Sequence, residues 1–417
     1  MSENSKMMEL LTQSRMLISE GKYEKAIEYL DKAEEIDNMV EEIYLQKGLA
    51  YANLENYESA KTQYQKVLKI NKKEGIAYFH LGNLELLEGN SAQGIEYYNN
   101  AIVYGFDDAQ VYFSLGLQYE ENGEDDFALR NYAKALIKDP QRADIRIRRI
   151  RLFAKNGHKE EALNEASNLI LSNPDVFEGY HFKFLLYSEM KKYEEALQVI
   201  EEAKAMFPKD VNFIIDEAAL AKEKGEEKQA LGLLNEAEKY EDVDPLEKRK
   251  IEMERAQIYA NRQDLEQTII HLEKARDYVE KEDEDTVDIE LTYLLMNCYI
   301  NNQQFEKMLE CARKLKKTKV ENYYTLTAPF YEGLSLKRLN RDEASTYLKE
   351  AVEFYREQTM TNPGNLDAYF FRVMCLNELQ EFDKSLELLK FLEDIKGDLP
   401  QVKELREATE MKKKAMA

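Results

Sequence analysis

The sequence contains no tryptophan, and it has few glycines, prolines and cysteines for a chain of 417 residues. With 16 glycines and 7 prolines it has too few turn-forming residues for an all-β architecture. Long hydrophobic runs are also missing. No stretch approaches the roughly 18 apolar residues of a membrane span, and the start lacks a basic region followed by an apolar run. We therefore expect neither a membrane span nor a secretory signal.

Positive charge is scarce as well. Lysine and arginine number 58 against 81 aspartates and glutamates, which gives a formal net charge of −23. This balance argues against general nucleic-acid binding, because phosphate backbones attract basic surfaces. The three cysteines, Cys298, Cys311 and Cys375, are odd in number and widely spaced. They are typical of buried thiols in a reducing compartment, so cytoplasm is the expected location.

Motifs that carry chemistry are missing too. The phosphate-binding patterns GxxxxGK[ST] and GxGxxG and the nucleophile pattern GxSxG do not occur. The four histidines are far apart in the sequence, and none has another histidine, a cysteine or an acid at metal-ligand spacing. The sequence therefore predicts no catalytic residues, no metal site and no cofactor.

What the sequence does have is a repeat. Small residues recur every 34 positions, at Ala26, Ala60, Gly94, Ala128, Ala162, Ala196 and Ala230. A second series with the same step contains Gly48, Gly82 and Gly116, and a third contains Pro140, Pro174 and Pro208. Chance does not hold one period over seven units.

The pattern resembles the tetratricopeptide repeat, a 34-residue helix–turn–helix unit. The fourth unit shows the resemblance best, with Tyr112, Leu115, Gly116, Tyr119, Ala128, Tyr132, Ala135 and Pro140 in the expected order. The resemblance implies an all-α fold, a right-handed α-solenoid or superhelix of about eleven units with a C-terminal capping helix.

Each small residue has a physical reason for its place. Gly48 and Ala26 let the two helices of a unit approach closely, and tyrosine and leucine side chains fill the space between them. A further glycine recurs at the turn between paired helices, where a left-handed backbone conformation is needed. These turn glycines are Gly21, Gly89, Gly123, Gly157 and Gly225.

The repeats predict three regions. Residues 1–244 hold seven regular units, residues 245–398 hold about four less regular units, and residues 399–417 form the capping helix. The tenth unit places Gly333 and Leu348 in the expected slots, with its internal turn one residue short. Between the first two regions, residues 241–248 form either a linker between two halves or a long loop between repeats. We favour the loop, because eight residues hardly separate two domains.

The resemblance also implies where a ligand binds. In this family the first helix of each unit lines an inner groove, which usually holds an extended peptide or a helix. Reading the groove positions gives an aromatic lining with a basic middle. The candidate ligand-binding residues are Phe79, His80, Asn83, Phe113, Arg148, Arg151, Lys155, His181 and Phe182. For each aromatic residue the alternative is packing against the neighbouring first helix.

The basic middle of this surface is the stretch DIRIRRIRLFAK, which begins at Asp144. Its alternating pattern looks like a strand, but the repeat makes it the first helix of the fifth unit. Arg148, Arg151 and Lys155 then share the face that lines the groove.

Two further arginines of this helix, Arg146 and Arg149, fall on slots between the paired helices, where an unpaired charge is costly. We expect them either to pair with acids such as Asp125, Asp126 or Glu160, or to extend outward to solvent.

These observations predict a non-catalytic scaffold that binds a protein or peptide carrying an acidic or carboxylate group beside apolar side chains. One alternative is a bacterial peptide-sensing or regulatory receptor built from the same repeats. Another is an assembly or envelope-biogenesis factor. The sequence leaves the partner's identity and the oligomeric state open.

Overall fold

The computed structural model describes residues 3–240, 242–280, 287–397 and 399–416. Within these residues the protein is all-α, with 23 helices and no strand. The predicted fold class is therefore confirmed: consecutive helices pair through short turns, as expected of a helical repeat protein. None of the described helices is long and apolar enough to cross a membrane.

The chain divides into two compact units, Met1–Phe207 and Pro208–Ala417. The first unit contains twelve described helices, of which each odd-numbered one pairs with the next. They are α1 (Glu3–Ser19), α2 (Tyr23–Ile36), α3 (Glu41–Asn53), α4 (Tyr57–Ile70), α5 (Gly75–Leu87), α6 (Ser91–Val103), α7 (Ala109–Glu121), α8 (Asp125–Lys138), α9 (Ala143–Lys155), α10 (Lys159–Ser172), α11 (Phe177–Glu189) and α12 (Tyr193–Met206).

The second unit contains eleven described helices. They are α13 (Asn212–Glu223), α14 (Glu227–Ala237), α15 (Pro245–Asn261), α16 (Leu265–Glu280), α17 (Ile289–Asn301), α18 (Phe305–Lys317), α19 (Tyr323–Arg338), α20 (Ala344–Thr361), α21 (Leu366–Glu378), α22 (Phe382–Lys396) and α23 (Pro400–Met416). The last helix occupies the place expected for the cap, with Val402 and Thr409 as its buried residues.

The division between the units lies at Phe207, and the stretch 241–248 lies inside the second unit. Residue 241 is outside the described residues, and Pro245 is already the first residue of α15. A capping box starts this helix: the Asp244 carboxylate accepts the Glu247 N–H at 2.8 Å, and the Glu247 carboxylate accepts the Asp244 N–H at 3.0 Å. Half of the expected loop is therefore the first turn of a helix.

The predicted glycine turns are confirmed. The five turn glycines of the first seven repeats have φ between 74° and 79°, the left-handed region that favours glycine. Glu55 and Lys191 complete the 34-residue series, with φ of 58° and 57°. The turn therefore keeps its left-handed geometry even where a side chain makes that conformation costly.

The small residues of the first helices receive large rings from the second helices. A Cβ atom placed on Gly116 would lie 2.4 Å from the Tyr132 ring, and Gly48 and Gly82 meet Tyr64 and Tyr98 in the same way. In the next pair, α9–α10, the large side chain is on the first helix and the small one is on the second. Ile150 takes the glycine position, Ala166 takes the tyrosine position, and both are fully buried. Interior volume is thus conserved across the helix pair, as close packing requires.

The pair α19–α20 departs furthest from the regular pattern. Its helices have 16 and 18 residues, whereas α7 and α8 have 13 and 14. Pro329 lies inside α19, where a proline ring opens the helix. The Tyr355 hydroxyl enters the opening: it donates to the Leu326 carbonyl at 2.8 Å and accepts the Phe330 N–H at 3.2 Å. One side chain thereby replaces a helical hydrogen bond.

The cysteines are free thiols, as the sequence predicts. Cys311 and Cys375 are buried in the core of the second unit, and Cys298 packs against that core. Burial raises the pKa of Cys311 to about 11. These thiols therefore behave as packing groups rather than as nucleophiles.

Candidate binding surface

Helix α9 carries the arginine-rich stretch and contacts α8, α10 and α11. It is a helix, as the repeat predicts, and not a strand. Its four arginines divide between two environments. Arg146 and Arg149 lie mostly buried against α10, whereas Arg148 is half-exposed and Arg151 is exposed.

The buried pair converges on one carboxylate. Arg146 lies 2.7 Å from Glu165 Oε1, and Arg149 lies 3.2 Å from Glu165 Oε2. Glu165 belongs to α10 and is only 5% exposed. Desolvation, opposed by Glu165, lowers the pKa of Arg149. The Nε atoms of both arginines are buried without a hydrogen-bond partner, which adds to the cost of this site. These two arginines are therefore structural.

The sequence did not identify Glu165 as their partner. Of the acids it proposed, Asp125 lies 2.9 Å from Lys155, and Glu160 lies 3.3 Å from Lys192. The expectation was wrong because both acids lie at the start of their helices. Glu165 lies one turn further along α10, on the face that packs against α9.

The other two arginines remain accessible. The Arg148 side chain is 41% exposed, and its guanidinium group makes a long contact of 3.4 Å with Glu120 of α7. The Arg151 guanidinium lies over the Phe182 ring of α11, 5.6 Å from its centre. Arg151 has no ion pair within the described part of the chain. Both guanidinium groups thus retain hydrogen-bond donors for a ligand.

Lys155 and Phe113 already have partners on this surface. Lys155 pairs with Asp125, and its ammonium group lowers the pKa of that carboxyl group. The Phe113 ring lies under the guanidinium of Arg142, 4.7 Å from its centre. Arg142 itself pairs with Asp144 at 2.6 Å. Sequence reasoning missed Arg142 because it precedes the helix, although it directly adjoins the basic stretch.

The candidates of α5 lie in packed positions. Phe79 is only 7% exposed and packs against Tyr98 and Phe106, so it is part of the core rather than of an open lining. The Asn83 side-chain oxygen accepts the Tyr98 hydroxyl at 2.6 Å. These contacts agree with the alternative to ligand binding, in which an aromatic residue packs between helices.

The two histidine candidates stack on aromatic rings. His80 stacks on Tyr64 at 4.9 Å, and burial lowers its pKa to about 4. His181 stacks on Phe177 at 5.3 Å. The structure therefore places Arg148 of α9 beside Glu120 of α7 and Arg151 over Phe182 of α11. The α5 residues lie in a separate packed cluster.

The described residues contain no group of three histidine, cysteine, aspartate or glutamate side chains that could hold a metal ion. The surface on α9 and α11 instead presents guanidinium groups beside an aromatic ring. A guanidinium group offers a planar set of donors that matches a carboxylate, so the chemistry of this surface suits an anionic ligand.

One family model agrees with the repeat at the start of the chain. The family model described as tetratricopeptide repeat matches residues 10–38 and 41–74, which correspond to α1–α2 and α3–α4. A solved structure of a tetratricopeptide repeat protein from Parabacteroides merdae is 16% identical to this chain, with a TM-score of 0.42. The superposition covers 61% of this chain and 97% of that protein.

Two relatives match parts of the sequence. BBSome complex member BBS4 of Bos taurus is 24% identical over 200 residues, 47% of this chain and 38% of that protein. Protein O-mannosyl-transferase TMTC1 of Homo sapiens is 25% identical over 139 residues, 33% of this chain and 16% of that protein. The matches thus span less than two fifths of either relative.

Proposed function

We propose that this chain, which matches the tetratricopeptide repeat over residues 10–38 and 41–74, acts as a non-catalytic scaffold that binds other proteins. The repeat architecture supports this function, because stacked helix pairs present an extended surface of side chains. The name of the BBS4 relative, a complex member, agrees with a role in assemblies. The free thiols agree with a reducing compartment, so we place the protein in the cytoplasm.

We propose further that the first unit binds a protein segment carrying a carboxylate beside an apolar side chain. One observation carries this proposal: the Arg151 guanidinium lies over Phe182 and has no ion pair in the described chain. A guanidinium group stacked on a ring still directs its N–H donors outward in its own plane. Phe182 offers the apolar contact next to it.

Arg148 supplies the second half of the site. Its contact with Glu120 is long at 3.4 Å, and the Tyr132 hydroxyl already donates to the same Glu120 oxygen at 2.5 Å. A ligand carboxylate can therefore replace Glu120 as the partner of Arg148 without leaving Glu120 unsatisfied. The acidic remainder of the chain would repel general polyanions and favour a local anionic group.

A peptide array tests the proposal. We would measure binding of the full chain to peptides with a free C-terminal carboxylate beside an aromatic or aliphatic residue, and to the same peptides with an amidated C-terminus. The carboxylate set should bind more tightly. The double variant Arg148→Glu, Arg151→Glu should weaken that binding by at least about 2 kcal/mol, a typical cost of disrupting a desolvated charge pair.

The matched control is Arg130→Glu, Lys134→Glu on α8. These two exposed cations also lie over aromatic rings, those of Phe127 and Tyr112, but on a second helix. The control should bind normally, and circular dichroism should show unchanged helicity for both variants. Equal losses in both variants, or an α9 variant that unfolds while its folded fraction binds normally, would refute the site.

A further inference from the structure

The second unit contains a cleft of about 820 Å³ between the ends of α18, α19, α20 and α21. Its walls combine aromatic rings with neutral polar side chains, among them Asn322, Tyr323, Pro329, Tyr347, Phe354 and Asn365. The extra length of α19 and α20 contributes to it, because Tyr323–Leu326 and Gln358–Thr361 belong to the terminal turns of these two helices. The cleft therefore depends on the extra length of this irregular repeat.

The charges along the cleft are not balanced. Three carboxylates line it, those of Glu321, Glu350 and Asp367, and none of them has an ion pair within the described residues. Lys316, the basic residue of the lining, lies 2.8 Å from the buried carboxylate of Glu332. The three carboxylates outnumber this one lysine, so the lining of the cleft keeps a net negative charge.

Of the helix ends around the cleft, the C-terminus of α20 favours a cation. The N-termini of α19 and α21 are each capped at one N–H group: the Asn322 side chain accepts the Thr325 N–H at 3.0 Å, and the Asn365 side chain accepts the Ala368 N–H at 3.1 Å. The C-terminal turn of α20 has no basic residue to complement its exposed carbonyl groups. A positive ligand group would provide that complement.

We propose that this cleft binds a basic segment of a partner protein, with a lysine or arginine side chain next to an apolar one. Tyr323 is 45% exposed and provides an aromatic ring for the cation, while Phe354 and Pro329 provide apolar contacts for the neighbouring residue. The ligand chemistry is opposite to that proposed for α9, so the two sites can be tested independently.

The test measures fluorescence anisotropy of a labelled peptide of alternating lysine and phenylalanine, titrated with the full chain. Peptides with acetylated lysines or with glutamates in their place serve as probe controls. The cleft variant is Glu321→Gln, Glu350→Gln, Asp367→Asn. Its matched control is Asp342→Asn, Glu343→Gln, Glu357→Gln, which removes three exposed, unpaired carboxylates of the same repeat outside the cleft.

The cleft variant should lose at least roughly tenfold in affinity for the lysine peptide, and the control variant should lose less than about twofold. Tyr323→Ala should also weaken binding while the thermal midpoint stays close to that of the original protein. Equal losses in the two triple variants would indicate diffuse attraction and overturn the proposal, and so would binding that the cleft variant leaves unchanged.

A second copy of this chain is the competing occupant, because Lys412, Lys413 and Lys414 form a basic end on α23. Sedimentation velocity distinguishes the two. We expect no self-association that depends on the cleft. If the cleft variant abolishes a dimer, the cleft binds another copy of this chain, and the proposal of a separate partner protein is refuted.

Discussion

The helix pairs α9–α10 and α19–α20 each bury a glutamate that holds two cations, but they expose those cations differently. In the first pair, the Arg146 and Arg149 side chains are only 15% and 18% exposed around Glu165. In the second, the cations come from the preceding helix α18: the Arg313 and Lys316 side chains around Glu332 of α19 are 47% and 46% exposed. Water can solvate the second pair of cations if their carboxylate is lost, whereas the first pair depends on Glu165.

Both pairs also depart from the regular repeat in their interior. In the first pair, Ile150 and Ala166 stand where the regular repeats have a glycine and a tyrosine. In the second, Pro329 interrupts α19, and the Tyr355 hydroxyl hydrogen-bonds to the two backbone groups at the interruption. In each case the change on one helix is matched by a change on its partner. The repeat thus tolerates departures that are compensated across the pair.

The largest effect expected from this comparison concerns the two buried glutamates. Glu165→Gln should destabilise the protein by about 3–5 kcal/mol, because it leaves two mostly buried arginines without a counter-charge. Glu332→Gln should cost about 1–2 kcal/mol, since its cations are half in water. Urea unfolding followed by circular dichroism measures both. Equal costs would remove the distinction between the two sites.

A double-mutant cycle transplants the inverted packing into the neighbouring pair α7–α8. Gly116→Ile alone should cost about 3 kcal/mol, because even a Cβ atom at that position overlaps the Tyr132 ring. The double variant Gly116→Ile, Tyr132→Ala should be more stable than the sum of the two single losses predicts, by a coupling energy of about 1–3 kcal/mol. Thermal unfolding of the three variants provides the values. If the losses in free energy of unfolding of the two single variants simply add, the interior volume of the helix pair is not what couples these two positions.

The variant Tyr355→Phe tests the hydrogen bonds that the Tyr355 hydroxyl makes to the backbone of α19. Loss of the hydroxyl leaves the Leu326 carbonyl and the Phe330 N–H unpaired, at an expected cost of about 1–3 kcal/mol. In a Pro329→Ala background the helix can close its own hydrogen bond, so the same change should cost less. The difference between the two backgrounds, from urea unfolding, is the quantity to measure. An identical cost in both would show that Tyr355 acts only by packing.

The smallest effect concerns the turns shared by all repeats. Lys191→Gly should stabilise the protein by about 0.5–1 kcal/mol, because Lys191 has φ of 57° and glycine adopts that conformation without strain. Gly157→Ala at an equivalent turn should destabilise by a similar amount. Differential scanning calorimetry checks the opposite signs. A destabilised Lys191→Gly would show that the side chain contributes more than the backbone costs.

Much of the candidate surface could be predicted from the sequence, but not its pairing. The repeat predicts that Arg148 and Arg151 share one face of α9. It also predicts that Arg146 and Arg149 lie between helices, where the structure has them. It could not show that Arg142 covers Phe113, because side-chain reach across a turn leaves no periodic signal. It also gave no sign of the cleft in the second unit, which depends on extended helix ends.

The sequence by itself determined the helices and their turns, because a 34-residue period fixes which residues face a partner helix and where a left-handed residue must stand. Only the tertiary structure decided that Glu165 joins two arginines, that Phe79 is buried and that the division lies at Phe207. These outcomes depend on distances between side chains of different helices. Periodicity records the direction of a side chain and not the atom that it meets.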